Sequence, residues 1–264
     1  MDSASNAHPI GIIGNDEFGP AIAERIAACH VSALYAALPG SPAAIYSDHL
    51  QPVSPEARGS MSECPIVLVA IEDTETFRAL LTGRSAAAPG FSLQSASVLV
   101  DLGARTPREL DALLELIQAH GVSLTDAALI GGPEAAVDGR AKVLLGGNDE
   151  SAVEIAQSVV SLLGHVERTG PLGSAHAAAA LMGYIEAAHA VAREEAMALG
   201  AACGLTPDMI ARVLSERAPP HGMNVVQLAR RADLARRIAR DRNIGADIID
   251  LAAEKQARAN RENR

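Results

Sequence analysis

Between residues 10 and 129 five short apolar runs, at 10–13, 31–35, 66–71, 98–102 and 124–129, alternate with helix-like stretches at 21–28, 74–81 and 107–120. A further helical stretch at 150–163 separates two late strands expected at 142–145 and 165–167. Strands joined by helical crossovers pair in parallel, so this rhythm demands a largely parallel sheet covered by helices. Near Gly170 and Pro171 the rhythm stops. From 173 to 204 the chain is alanine-rich and reads as one helix of about 30 residues, roughly 45 Å long at 1.5 Å per residue. No strand pattern follows, and 207–215, 225–241 and 246–260 read as further helices. The expected domains are therefore 1–170, α/β, and 171–264, all helical. Alanine on several faces of a long helix permits close helix packing, which suits a central or intersubunit position.

The first strand runs into a glycine-containing turn at residues 10–19, Ile-Gly-Ile-Ile-Gly-Asn-Asp-Glu-Phe-Gly. In a dinucleotide-binding turn the first glycine makes the bend, the second lets backbone amides approach a pyrophosphate, and the third lets helix pack on strand. Gly14, Asp16 and Gly19 occupy those positions. Asp16 places a β-carbon and a negative charge where a diphosphate would lie, opposing the pull of the helix N-terminus on anions. The layout therefore predicts a Rossmann-like, doubly wound, mainly parallel sheet, with a weakened phosphate site or a plain turn. At the end of the second strand Tyr35, Ala36 and Ala37 offer neither an acid for a ribose hydroxyl nor an arginine for a 2′-phosphate.

With 32 acidic against 22 basic residues the net charge is −10, which excludes a global attraction to nucleic acid or anionic membrane. Cys29, Cys64 and Cys203 show no paired spacing and no CxxC, which argues for reduced thiols, no zinc site and a cytoplasmic location. No export signal or membrane span is indicated, because the most apolar helix is interrupted by His176, Glu186 and His189.

In order and spacing, these segments resemble the β-hydroxyacid dehydrogenase family, including its 3-hydroxyisobutyrate dehydrogenase and imine reductase members, on the 6-phosphogluconate dehydrogenase-like fold. The turn at 10–19 looks like that family's first cofactor motif, and 100–107, Val-Asp-Leu-Gly-Ala-Arg-Thr-Pro, like its strand and loop under the nicotinamide. Residues 126–132, Asp-Ala-Ala-Leu-Ile-Gly-Gly, followed by Gly139, Gly146 and Gly147, resemble its substrate-binding segment, and 170–175 its entry to the long helix. The resemblance implies NAD or NADP held by Gly14, Asp16, Phe18, Gly19, Ala70 and Gly103, a helical dimerisation domain, and a substrate cleft between the domains. It also implies a substrate site at Ile130, Gly131, Gly132, Ala179, Gly183 and Arg230.

The family's catalytic lysine falls on Ala179 and its partner asparagine on Gly183, and neither can transfer a proton. Ile130 stands at the expected serine, and Gly103 and Ala104 at expected hydroxyl residues, so apolar surface replaces polar recognition. Arg230 stands at a second lysine position, where it either holds a carboxylate or cofactor group or lies on the surface. At 100° per residue His176, Ala179, Gly183 and Glu186 share one stripe of the long helix. His176, one turn before the empty lysine position, is the first candidate acid or base, because an imidazole changes charge near neutral pH. Tyr184 and Glu186 are the other polar candidates, with core packing and a salt bridge as their ordinary roles. The carboxylates around His189 lack the HExxH spacing of a metal site.

Three functions stay open on this reading. The favoured one is an NAD(P)-dependent oxidoreductase acting on a small or aromatic substrate, homodimeric through the helical domain. The second is a cofactor-independent lyase performing retro-aldol loss of formaldehyde, dehydration or decarboxylation. The third is a catalytically inactive ligand-binding homologue.

Overall fold

The computed structural model describes residues 8–14, 17–38, 44, 46–53, 61, 64–83 and 98–215, with separate positions between 234 and 254. Among the described residues the strands are β1 (Ile10–Gly14), β2 (Ala33–Ala37), β3 (Leu50–Pro52), β4 (Ile66–Ala70), β5 (Val98–Asp101), β6 (Ser123–Ile130), β7 (Ala141–Gly147) and β8 (Gly164–Gly170). They form one sheet in the order β3-β2-β1-β4-β5-β6-β7-β8. Every pairing is parallel except β6 with β7. Helices α1 (Phe18–Ala28), α2 (Thr74–Leu81), α3 (Pro107–Gln118), α4 (Gly132–Val137) and α5 (Glu150–Val160) belong to the same unit.

Alternation along the central strands builds two cores, one on each face of the sheet. Ile66, Leu68 and Ala70 of β4 join Ile22 and Ile26 of α1 and Val160 of α5 on one face. Val67 and Val69 join Phe77 and Leu80 of α2 and Leu110, Leu113 and Ile117 of α3 on the other. Strands buried on both faces read as continuous apolar runs, which is why the sheet was legible without periodicity. The helices start where local chemistry makes them start. Asp73 caps α2, Asp149 caps α5, and Thr106 with Glu109 forms a capping box on α3, with Pro107 at its first position.

The structure confirms a Rossmann-like, mainly parallel sheet and corrects three details of the sequence reading. The short edge strand β3 had no apolar run to announce it, since only Leu50 of its three residues is buried. Residues 132–137, read as part of a glycine-rich segment, form α4, entered through the left-handed Gly131 and Gly132 with φ of 115° and 80°. Helices α3 and α5 end at Gln118 and Val160, short of the expected 120 and 163.

The chain divides into two compact units, Met1–Leu181 and Met182–Arg264. Helix α6 (Ser174–Ala202) begins in the first and continues into the second, where α7 (Pro207–Ser215) follows it. In the second unit Gly200 lies against Ile210 and Leu205, so that a Cβ at Gly200 would stand 3.0 Å from Ile210 Cγ1. Arg193 donates to the Leu214 carbonyl at 3.3 Å, and Glu195 accepts the Ile248 N–H at 3.0 Å. The helices expected over 225–241 and 246–260 lie largely outside the described residues.

Candidate functional site

The strand order reverses between β1 and β4, the point at which doubly wound sheets open a crevice beyond their strand ends. Gly14 and Ala70, the last residues of these two strands, are register partners there. A Cβ on Gly14 would lie 2.7 Å from Gly19 Cα, and one on Gly19 2.8 Å from the Tyr35 hydroxyl. The turn is thus closed so tightly that only glycine fits at either position. Phe18 packs against the core beside it, half-buried. Asp16 lies outside the described residues.

Further along the same unit, off the end of β5, is a pocket of about 480 Å³. The β5 to α3 connection supplies Gly103, Ala104, Arg105 and Thr106, α3 supplies Pro107 and Glu109, and β6 supplies Ala128. The first turns of α6 add His176, Ala177, Ala179 and Ala180. His176, Ala179 and Gly103, singled out separately from the sequence, therefore border one space.

One lining residue, Arg105, belongs to a buried ion pair. Arg105 Nε donates to Asp101 Oδ2 at 2.7 Å, with both side chains fully excluded from solvent. The remaining guanidinium nitrogens donate to the Glu72 carbonyl, the Thr74 hydroxyl and the Ile71 carbonyl, and the group stacks 5.0 Å from the Phe77 ring centre. Burial pushes the Asp101 carboxyl above its ordinary range, opposed first by the Arg105 charge and then by His176 and the Gly103 N–H. Gly103 closes over the pair: a Cβ there would stand 2.5 Å from Arg105 Nη2 and 2.5 Å from the Ile71 carbonyl oxygen.

His176 is buried, with Nε2 3.2 Å from the Asp101 carbonyl oxygen. A carbonyl oxygen only accepts, so in neutral imidazole the proton sits on Nε2 and the lone pair on Nδ1. Nδ1 is buried and has no hydrogen-bond partner among the described residues. The backbone that carries the ring is held by Asp126, whose carboxylate accepts the N–H groups of Gly173 (2.8 Å), Ala175 (2.9 Å) and His176 (3.1 Å). Asp126 thereby caps α6 from the neighbouring strand. Gly146, its register partner on β7, leaves the room, since a Cβ there would lie 2.5 Å from Asp126 Oδ1.

The other candidates lie apart from this pocket. Ile130, Gly131 and Gly132 lie where β6 ends and α4 begins, outside its lining. Gly183, Tyr184 and Glu186 belong to the second unit and are exposed, Tyr184 to 66%. Arg230 lies outside the described residues. The sequence reading passed over Arg105, Glu109 and the capping role of Asp126. The spacing of Thr106 and Glu109, with proline between, was a visible helix-start signal. Nothing local marks Asp126 as the partner of a helix 50 positions away. Among the described residues no group of three or more His, Cys, Asp or Glu is placed to hold a metal, and no helix is long and apolar enough to cross a membrane.

Residues 9–170 match the family model for the NAD binding domain of 6-phosphogluconate dehydrogenase. The chain belongs to that family. Within this 6-phosphogluconate dehydrogenase-type NAD-binding family, it is 29% identical over 162 residues to an L-threonate dehydrogenase of Cupriavidus necator. That match covers 60% of this chain and only 52% of the relative, so the chain spans about half the length of the curated relative. An imine reductase from Myxococcus stipitatus, solved with NAD+, superposes with a TM-score of 0.76 at 15% identity, covering 97% of this chain and 94% of that one. A reductive aminase from Aspergillus terreus, solved with NADPH and ethyl levulinate, gives 0.75 at 17% identity over 98% and 95%. At these identities the structural likeness speaks for the fold, while the sequence match places the first unit among NAD-binding dehydrogenase domains.

Proposed function

We propose that this chain is an NAD(P)-dependent oxidoreductase whose substrate occupies the pocket beside His176. The observation that carries the reading is the pairing of Gly14 with Ala70 where the strand order reverses, inside the segment that matches the NAD-binding family. The glycine turn fits a dinucleotide, with Gly14, Phe18, Gly19, Ala70 and Gly103 as the residues that would hold it. When bound, the nicotinamide supplies or accepts a hydride. His176 handles the proton: its Nδ1 lone pair takes a proton from a substrate hydroxyl in oxidation, and its protonated form returns one in reduction. It stands one helical turn from Ala179, so an imidazole replaces the ammonium that relatives place there.

The first unit, on this reading, binds the dinucleotide, and the second makes a homodimer. Support for the dimer comes from α6, where Leu181, Tyr184, Ile185, Val191 and Met197 are 45–68% exposed. All three cysteines are free, which suits the cytoplasm.

Fluorescence titration with NADH and NADPH tests the reading. Saturable binding of one or both in the micromolar range is the expected result, strengthened in Asp16→Gly by removal of a like charge. No binding of either at millimolar concentration would overturn it.

A further inference from the structure

Three features bordering the pocket are of the kind that binds anions, and the chain has filled each with one of its own acids. The first is the N-terminus of α6, whose amides at Gly173, Ala175 and His176 are taken by the buried Asp126 carboxylate. The second is the N-terminus of α3. There Glu109 accepts the Thr106 N–H at 2.8 Å and its hydroxyl at 2.7 Å, while the Thr106 hydroxyl accepts the Glu109 N–H at 3.3 Å. The third is the Arg105 guanidinium, paired with Asp101 and wholly excluded from solvent. Helix N-termini and guanidinium groups are the usual carboxylate and phosphate anchors of a binding site. The amides and guanidinium named here are all engaged within the chain.

The rest of the described lining is alanine, glycine and proline, with Thr106 and the His176 imidazole. Among the described lining residues the charge without an ion-pair partner is that of Glu109, which is negative. Hydrogen bonds from Thr106 and Thr74 hold the Glu109 carboxyl down to about 2, so it is ionised at any working pH.

We infer that the pocket takes an uncharged or positively charged substrate with an apolar body and discriminates against carboxylates. This rests on the oxidoreductase site proposed above and narrows it. A carboxylate entering the pocket gives up its water and, while His176 is neutral, meets no unpaired cation among the described lining residues, and an ion desolvated without a partner binds poorly. An ammonium, an iminium or a neutral carbonyl meets apolar surface and the Glu109 field instead.

Two probe pairs of matched shape test this by ligand-observed NMR, with and without NADPH. The first pair is ethyl levulinate against levulinate, and the second is cyclohexylammonium against cyclohexanecarboxylate. The uncharged or cationic member of each pair should bind about ten-fold or more tightly than its acid. In Glu109→Gln, which keeps the capping geometry, the preference in the second pair should shrink by roughly three-fold or more. Acids that bind as well as their partners would overturn the assignment, as would carboxylate binding that disappears in Arg230→Ala, since that would reveal a cation serving the pocket. An unchanged preference in Glu109→Gln would place the discrimination elsewhere and equally overturn it. Failure of the oxidoreductase reading shows separately, as absent NADPH binding, while the probe ratio measured without cofactor stands or falls by itself.

Discussion

The carboxylate of Asp126 accepts the backbone N–H of His176 at 3.1 Å, across 50 positions of sequence. The same group holds Gly173 and Ala175, so one buried acid on β6 sets both the start of α6 and the position of the imidazole. Asp126→Ala would leave three amides without their acceptor and should cost about 3–5 kcal/mol. Asp126→Asn keeps an acceptor and should cost less, about 1–3 kcal/mol. Urea midpoints at unchanged slope measure both. A loss under about 1 kcal/mol in the alanine variant would show that water replaces the carboxylate and that the cap is dispensable.

Gly19→Ala should loosen the turn that closes on Gly14. Its new Cβ would stand 2.8 Å from the Tyr35 hydroxyl and 3.0 Å from Gly14 Cα. The expected cost is about 1–3 kcal/mol of stability, with weaker NADPH binding. Because part of the clash is with a hydroxyl, the double variant with Tyr35→Phe should be more stable than the sum of the two single changes predicts. Strict additivity would mean that the backbone contact carries the whole effect.

The Glu109 carboxyl titrates at about 2 in the folded chain against an ordinary value of 4.5. A depressed carboxyl contributes stability that is fully present above its unfolded value and is lost as pH falls toward the folded one. Wild-type stability should therefore decline between pH 4.5 and about 2 in part through this group, and Glu109→Gln should flatten that section of the curve. Parallel acid limbs in urea titrations of the two proteins would contradict the assignment.

His176→Ala should lower turnover by about 10²- to 10⁴-fold, the usual contribution of a general acid or base, while cofactor affinity stays near wild type. His176→Asn restores a donor toward the Asp101 carbonyl and should recover stability without activity. Full turnover in the alanine variant would move the proton to Tyr184, Asp16 or water.

Light scattering at micromolar concentration should report twice the 27.3 kDa chain mass. Exposed leucine, isoleucine and methionine along α6 are costly to leave in water. A monomer under these conditions would require another cover for that helix.

The sequence by itself determined the alternation of elements, the switch from α/β to helix near 170, the glycine turn and the length of α6, 29 residues against about 30 expected. Each is a local property. Buried parallel strands are continuous apolar runs, helix starts carry their own caps, and a tight turn needs glycine wherever it occurs. His176 was also visible, by its spacing from Ala179. What only tertiary structure decided was the charge balance of the pocket. Arg105 carried no mark of its partner until the fold buried it on Asp101, and Asp126 resembled part of a substrate-binding segment until β6 brought it under α6. The partner of a charge is set by pairing between strands and by helix entry angles, and those contacts join residues that sequence spacing leaves unrelated.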